Sequence, residues 1–197
     1  MPEPERRIAP IGPRQALQQR VESAILEAAA RTYASEGEEA NLADVAVAAG
    51  VARATVYRYF PSRRRLLATL ARRTAEETHD RLTAARIEEV DAEEGVNRAV
   101  RAFVESGDGF VVLVRERGRV EEAEFERLVA DPVRRLLERG RTEGRVRDDI
   151  PAAWLAESLV GLVVGVAQEG TLGPDDAVAA ITSVFLEGAR AVADAAR

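Results

Sequence analysis

Between Asp44 and Glu76 the chain carries seven arginines and no carboxylate: Arg53, Arg58, Arg63, Arg64, Arg65, Arg72 and Arg73. Thr55, Tyr57 and Tyr59 are interleaved with the first of them. A guanidinium is a planar fork of N–H donors that matches a phosphate or a guanine edge, and hydroxyls and phenols add single hydrogen bonds to phosphate oxygens. The chemistry on offer is recognition of a polyanion. The charge distribution agrees. Residues 1–75 hold twelve arginines against eight acids, and residues 76–197 hold sixteen against twenty-six, so the net −6 divides into +4 and −10. A basic head on an acidic body directs one end of the molecule at an anionic partner. No lysine occurs, which reads as genomic bias rather than function.

Little else in the chain could react. Cysteine is absent, which rules out a Cys-His set, and the sole histidine, His79, shows no Ser-His-Asp pattern around it. His79 reads as a solvated residue on a helix. Clusters at metal-ligand spacing and phosphate-binding glycine loops are missing. The pairs Asp148-Asp149 and Asp175-Asp176 fall at linkers or helix starts, where they cap or stay solvated. An enzyme is not expected, and neither is a cofactor or a metal. Apolar residues make up 46% and charged residues 31%, a globular composition. No unbroken apolar run approaches the ~18 residues that span a bilayer, so no membrane partner is expected. The opening MPEPERRIAPIGPR lacks an apolar stretch and reads as a disordered arm, not a signal peptide. Together with the missing cysteines this fits a cytoplasmic protein.

Two short helices must present the arginines. In NLADVAVAAGVARATVYRYFPSRRRLL, residues 41–67, Asn41 suits a helix N-cap and Asp44 the positive end of the helix dipole. Leu42, Val45, Ala46 and Ala49 form an apolar stripe, and Gly50 ends that helix. A second helix is predicted over Arg53–Phe60, stopped by Pro61. Val56 and Phe60 share one face and should anchor it, leaving Arg53, Thr55, Tyr57, Arg58 and Tyr59 for contacts. Two helices meeting at a glycine turn is the geometry of helix-turn-helix DNA binders. A preceding helix from Pro13 or Arg14 to Ser35, striped by Val21, Ile25, Leu26, Ala29 and Tyr33, completes a three-helix unit, with Tyr33 in its core.

These residues resemble the DNA-binding domain of the TetR family of transcriptional regulators. The resemblance rests on Ile25, Leu26, Ala28, Ala29 and Gly37, on Leu42, Asp44, Val45 and Ala46, on Ala49-Gly50-Val51, and on Thr55-Val56-Tyr57-Arg58-Tyr59-Phe60 with Ser62-Arg63 and Leu66-Leu67. It covers about the first third of the chain. Ala40 stands where the family often has a threonine, and Ala43 and Ala54 where some members carry base readers. Readout would therefore lean on Arg53 and Arg58, with Asn41, Thr55, Tyr57, Tyr59 and Arg63 at the backbone. The resemblance implies an all-α fold of about nine helices. It divides into an arm (1–13), a helix-turn-helix domain (14–75) and a ligand-binding and dimerisation domain (76–197). It also implies a homodimer on a palindromic double-stranded DNA operator, released by a small-molecule effector. A ligand-independent DNA binder of the same fold and a helical protein-interaction module are the alternatives.

The rest of the chain reads as further helices. One should start at Ser62 and reach about Arg86. The acidic run Glu88–Asp91 reads as a turn, followed by a helix to Ser106 striped by Val96, Val100, Phe103 and Val104. Phe110–Val114 should be helical because no second strand exists to pair with it, and Gly118 should weaken its far end. Glu121–Gly144 has helical spacing but contains Pro132, which predicts a kink near Ala130-Asp131. After a linker, EGRVRDDIPAAW, resembling the segment before the family's eighth helix, come two apolar helices, Ala152–Gln168 and Asp175–Ala196. The first is apolar almost all round and should be buried on most sides. By the resemblance this pair forms the dimer interface, with Leu159, Gly161, Gly165, Ile181 and Phe185 in contact. Phe103, Phe110 and Leu113 are the expected pocket wall.

Overall fold

The computed structural model describes residues 12–120 and 122–191. Among them there are ten α-helices and no strand: α1 (Pro13–Glu36), α2 (Leu42–Ala48), α3 (Arg53–Tyr59), α4 (Arg63–Ala84), α5 (Ala92–Glu105), α6 (Gly107–Val120), α7 (Glu122–Phe125), α8 (Asp131–Thr142), α9 (Ala152–Glu169) and α10 (Pro174–Ala189). Of the arm expected over 1–13, residues 1–11 lie outside the described residues. Pro13 opens α1, where its missing N–H has no intrahelical partner to lose.

Apolar side chains gather in two cores. Ile25, Leu26, Val45, Val56, Phe60, Leu66, Leu67 and Leu70 form the head core. Ala71, Ala75 and Leu82 begin the body core, which takes in α5 to α10. The changeover falls inside α4, a little more than one turn before the expected boundary at residue 75. Helix α4 is capped by Ser62, whose Oγ accepts from the Arg65 N–H at 3.2 Å, and then runs unbroken through both cores. Helix α6 lies against it. A Cβ on Gly109 would stand 2.8 Å from Thr74 Oγ1, so only glycine permits this approach. Val112, in the second turn of α6, joins the head core instead of the body's. Gly118 does not end α6, which continues to Val120.

Pro132 has the predicted effect. A π-helical turn over Glu126–Ala130 separates α7 from α8, the wide turn accommodating a ring that would otherwise strike the preceding one. Proline also has no N–H for the carbonyl four residues back, that of Leu128. His79 fills this gap: its Nδ1 lies 3.0 Å from Leu128 O. A carbonyl only accepts, so Nδ1 carries the proton and donates. His79 is thus half-buried and structurally engaged, not the solvated residue expected. Arg139 on α8 ties the same region down, donating to the carbonyls of Ile87, Glu88 and Val90 at 3.1, 2.8 and 2.6 Å.

The last helix is shorter than expected. It ends at Ala189, because Arg190 is extended and pairs with Val146. The N–H of Arg147 donates to Ala189 O at 2.9 Å, and that of Ala191 to Arg145 O at 3.1 Å. Arg147 holds Asp149 through two 2.7 Å bonds, which lower that carboxyl below its ordinary pKa. Val192, expected in the stripe, lies outside the described residues. Helix α9 is also a correction. Its 18 residues average a hydropathy of 1.2, long and apolar enough to cross a bilayer by length and composition, yet only 33% of the span is buried. Ala152, Leu155, Ala156, Leu159, Val160 and Val163 pack in the body core, as a core helix does. Trp154 stays 71% exposed.

Replacing His79 by alanine should leave the Leu128 carbonyl unpaired and cost about 1–3 kcal/mol in urea unfolding. Asparagine, with an N–H donor at a comparable reach, should recover part of it.

Candidate nucleic-acid interface

The head folds as its residue types require. Asn41 Oδ1 accepts from the N–H groups of Ala43 and Asp44 at 2.8 and 3.3 Å, and Asp44 Oδ2 accepts from the Asn41 N–H at 2.9 Å. This reciprocal box starts α2 and commits the Asn41 oxygen to the cap. Gly50, at φ +66°, ends it. Val51 N–H donates to Ala46 O at 3.0 Å and Gly50 N–H to Val47 O at 3.1 Å, the bond pair of a left-handed C-terminal cap. The turn sets α3 across α2. Val56 and Phe60 are buried in the head core, so the opposite face of α3 carries Arg53, Ala54, Tyr57 and Arg58 into solvent.

Those side chains are organised before any partner arrives. Arg53 donates to Tyr57 Oη at 3.2 Å, with its guanidinium carbon 5.4 Å from the ring centroid, and this bond raises the Arg53 pKa. Arg58 lies 5.4 Å from the Tyr59 ring centroid. Tyr59 and Thr55 are half-buried, while Arg64 and Arg65 are exposed. Arg58 and Tyr59 also wall a groove of about 590 Å³ with Arg14, Leu17 and Gln18 of α1. The α1 residues were missed in the sequence. Leu17 continues the stripe of Val21 and Ile25 one turn toward the N-terminus yet remains 61% exposed, and that overhang was the available signal.

Arg63, expected at a phosphate, turns toward the body. Its guanidinium carbon sits 4.9 Å from the Tyr33 ring centroid, and Nη2 lies 3.9 Å from Glu116 of α6. Burial pushes the Tyr33 phenol above its ordinary pKa, against the pull of the Arg63 charge. One residue earlier on α6, Arg115 donates to the carbonyls of Tyr33 and Ala34 at 3.2 and 2.9 Å, satisfying acceptors at the end of α1. The head is therefore strapped to α6.

In the body, Phe103 of α5 and Phe110 of α6 stack with centroids 4.7 Å apart. Both border a cavity of about 140 Å³ that reaches Val163 and Val166 of α9 and Ile181 of α10. Leu113, expected with them, is buried in the core and does not border this cavity. The expected interface residues divide similarly. Leu159, Ile181 and Phe185 are buried within the single chain, because these positions face α5, α6 and α8. Gly161 and Gly165 do face outward, and a Cβ on either would meet nothing within 4 Å. Trp154 shares their side of α9 at helical spacing, and Val184 stands 61% exposed on neighbouring α10.

Residues 25–70, running from α1 through α2 and α3 to the middle of α4, match the family model described as bacterial regulatory proteins, tetR family. That stretch is a tetR-family segment. A TetR-family member, the HTH-type transcriptional repressor LfrR of Mycolicibacterium smegmatis, is 46% identical over 89 residues, 45% of this chain and 44% of that repressor. The match thus spans less than half the length of that relative. Across the whole fold, LfrR from Mycobacterium smegmatis in complex with proflavine superposes with a TM-score of 0.71 at 24% identity, covering 87% of this chain and 97% of that one. A tetR-family regulatory protein from Rhodococcus RHA1 gives 0.70 at 17% identity over 88% and 99%. AibR, in complex with isovaleryl coenzyme A and operator DNA, gives 0.66 at 16% identity over 83% and 97%. These likenesses establish that the TetR fold extends through the body as well as the head.

Gly50→Ala isolates the turn that aims α3. An added Cβ has open space, so the cost is the left-handed backbone alone, about 1–2 kcal/mol in thermal or urea unfolding. An unchanged midpoint would mean that the turn relaxes freely.

Proposed function

We propose that this protein is a homodimeric transcriptional repressor that binds a roughly palindromic DNA operator through α3 and is released by a small molecule. The observation that carries this reading is the division of α3 into a buried Val56/Phe60 face and a solvent face of Arg53, Ala54, Tyr57 and Arg58. Arg53 and Arg58 would read bases in the major groove, with the Ala54 methyl available to a thymine methyl. Tyr57, Tyr59 and Thr55 would hold phosphates, and exposed Arg64 and Arg65 would take the backbone role that Arg63 leaves. The cap at Asn41 serves by fixing α2. The protein would act in the cytoplasm on chromosomal DNA.

A two-fold pair of heads requires a dimer with half-sites about one DNA turn apart, roughly 34–36 Å. The outward side of α9 and α10, with Trp154, Val184 and uncrowded Gly161 and Gly165, suits the same two helices of a second copy. Release needs an effector that favours one head spacing over another, since only differential affinity can move such an equilibrium. Helix α6 supplies a physical link. Phe110 borders the cavity, Val112 enters the head core, Arg115 holds the end of α1 and Glu116 faces Arg63. Ligand complexes of LfrR and AibR, and the operator complex of AibR, support the reading by analogy.

An electrophoretic shift against a genomic fragment library at physiological salt tests the core of it. Specific retention is expected, and its absence would favour a protein-interaction module. With an operator in hand, Arg58→Ala should relax sequence preference. Arg64→Ala should weaken all sequences alike and reduce the slope of log K against log salt by about 1.8, one contact of roughly 0.9 per head. Val184→Glu should convert a dimer to monomers by light scattering, and a persistent dimer would place the seam elsewhere.

A further inference from the structure

We infer that the cavity between α5, α6, α9 and α10 binds an uncharged, apolar molecule of single-ring size, and that this class holds the effector; the second clause rests on the repressor reading above. The wall decides the chemistry. Phe103, Phe110, Val111, Val163, Val166 and Ile181 surround the space, and among the described residues no side chain lining it is charged or carries a hydrogen-bonding group. An ionised ligand would lose its water there and gain no counter-charge, which selects strongly for neutral molecules.

The volume decides the size. Sites for drug-sized ligands run from about 300 to 1,000 Å³. This cavity, at about 140 Å³, is well below that range. It is close to the roughly 150 Å³ at which an apolar protein cavity stays dry and accepts benzene. The stacked pair of Phe103 and Phe110, 4.7 Å between centroids, offers aromatic faces and edges to a further ring. The mouth lies at the α9–α10 turn, where Gly170 and half-exposed Leu172 border the space. A polar ligand has a different destination. The larger cleft of about 350 Å³ beside His79 is rimmed by Arg86 and Arg135, which are paired with Glu89 and Glu88 at 3.4 and 3.1 Å.

Occupancy would be felt at the head because the cavity wall and the head core share a helix. A ring beside Phe110 presses on α6 two residues from Val112.

The test uses the full chain with 4-fluorotoluene, followed by fluorine NMR, beside 4-fluorobenzylammonium and 4-fluorobenzoate. Saturable binding of the neutral probe is expected, with both ions weaker by on the order of 100-fold. Val163→Phe and, separately, Ala177→Leu should fill the space and abolish binding. Circular dichroism identifies which variants remain folded, and either folded variant suffices. Tighter binding of either ion, no binding of 4-fluorotoluene by the wild-type chain, or unchanged binding in a folded filled variant overturns the assignment. DNA retention on the same preparation separates the two clauses. Uptake with unchanged retention removes the effector role and keeps the cavity's ligand class. A chain that takes up the probe but never binds DNA overturns the repressor reading alone.

Discussion

Helix α4 belongs to two hydrophobic cores at once, and the head has no orientation without it. Leu66, Leu67 and Leu70 hold its first turns in the head, while Ala71, Ala75 and Leu82 hold the rest in the body. A continuous helix transmits tilt because bending it would break backbone bonds along its length. The close approach of α6 at Gly109 and Thr74 adds a second rigid element beside the first. With α6 contributing Val112 to the head, the two cores cannot move fully independently. The exposed face of α3, the body cavity and the outward apolar side are thereby parts of one mechanical object.

Arginine serves three different purposes in this chain. Arg53 and Arg58 stay exposed beside phenol rings that limit their rotamers. Arg63 and Arg115 spend their donors and charge on the joint between head and body. Arg139 and Arg147 close loops by reaching backbone carbonyls or a neighbouring carboxylate. The planar fork suits all three, since several N–H groups can be satisfied by separate acceptors at once. A one-sign cluster in sequence is therefore not the same as a one-sign surface.

The head was largely legible because its determinants are local. Asn41 with Asp44, Gly50, Val56 with Phe60, and Ser62 each act within one or two turns, and the structure uses them as caps, stop and anchor. Pro132 was equally local in its effect on the helix. What the sequence did not disclose depends on distant partners. Arg63 turns inward because Tyr33 and Glu116, far off in the chain, converge there. His79 is engaged because Pro132 leaves a carbonyl without its usual donor. The end of α10 is set by pairing with Arg145–Arg147. Leu159, Ile181 and Phe185 announce burial by their pattern, but not whether the covering surface comes from the same chain. The outward residues of the same helices, Gly161, Gly165 and Val184, are the ones left uncovered.

Trp154 is the only tryptophan in the chain, and it stands on the open side of α9. Any second polypeptide that covers this side moves the sole indole from water into an apolar setting. The protein thus carries its own optical probe of association: indole emission colour and quencher access would follow subunit exchange with no label attached and no second tryptophan to subtract.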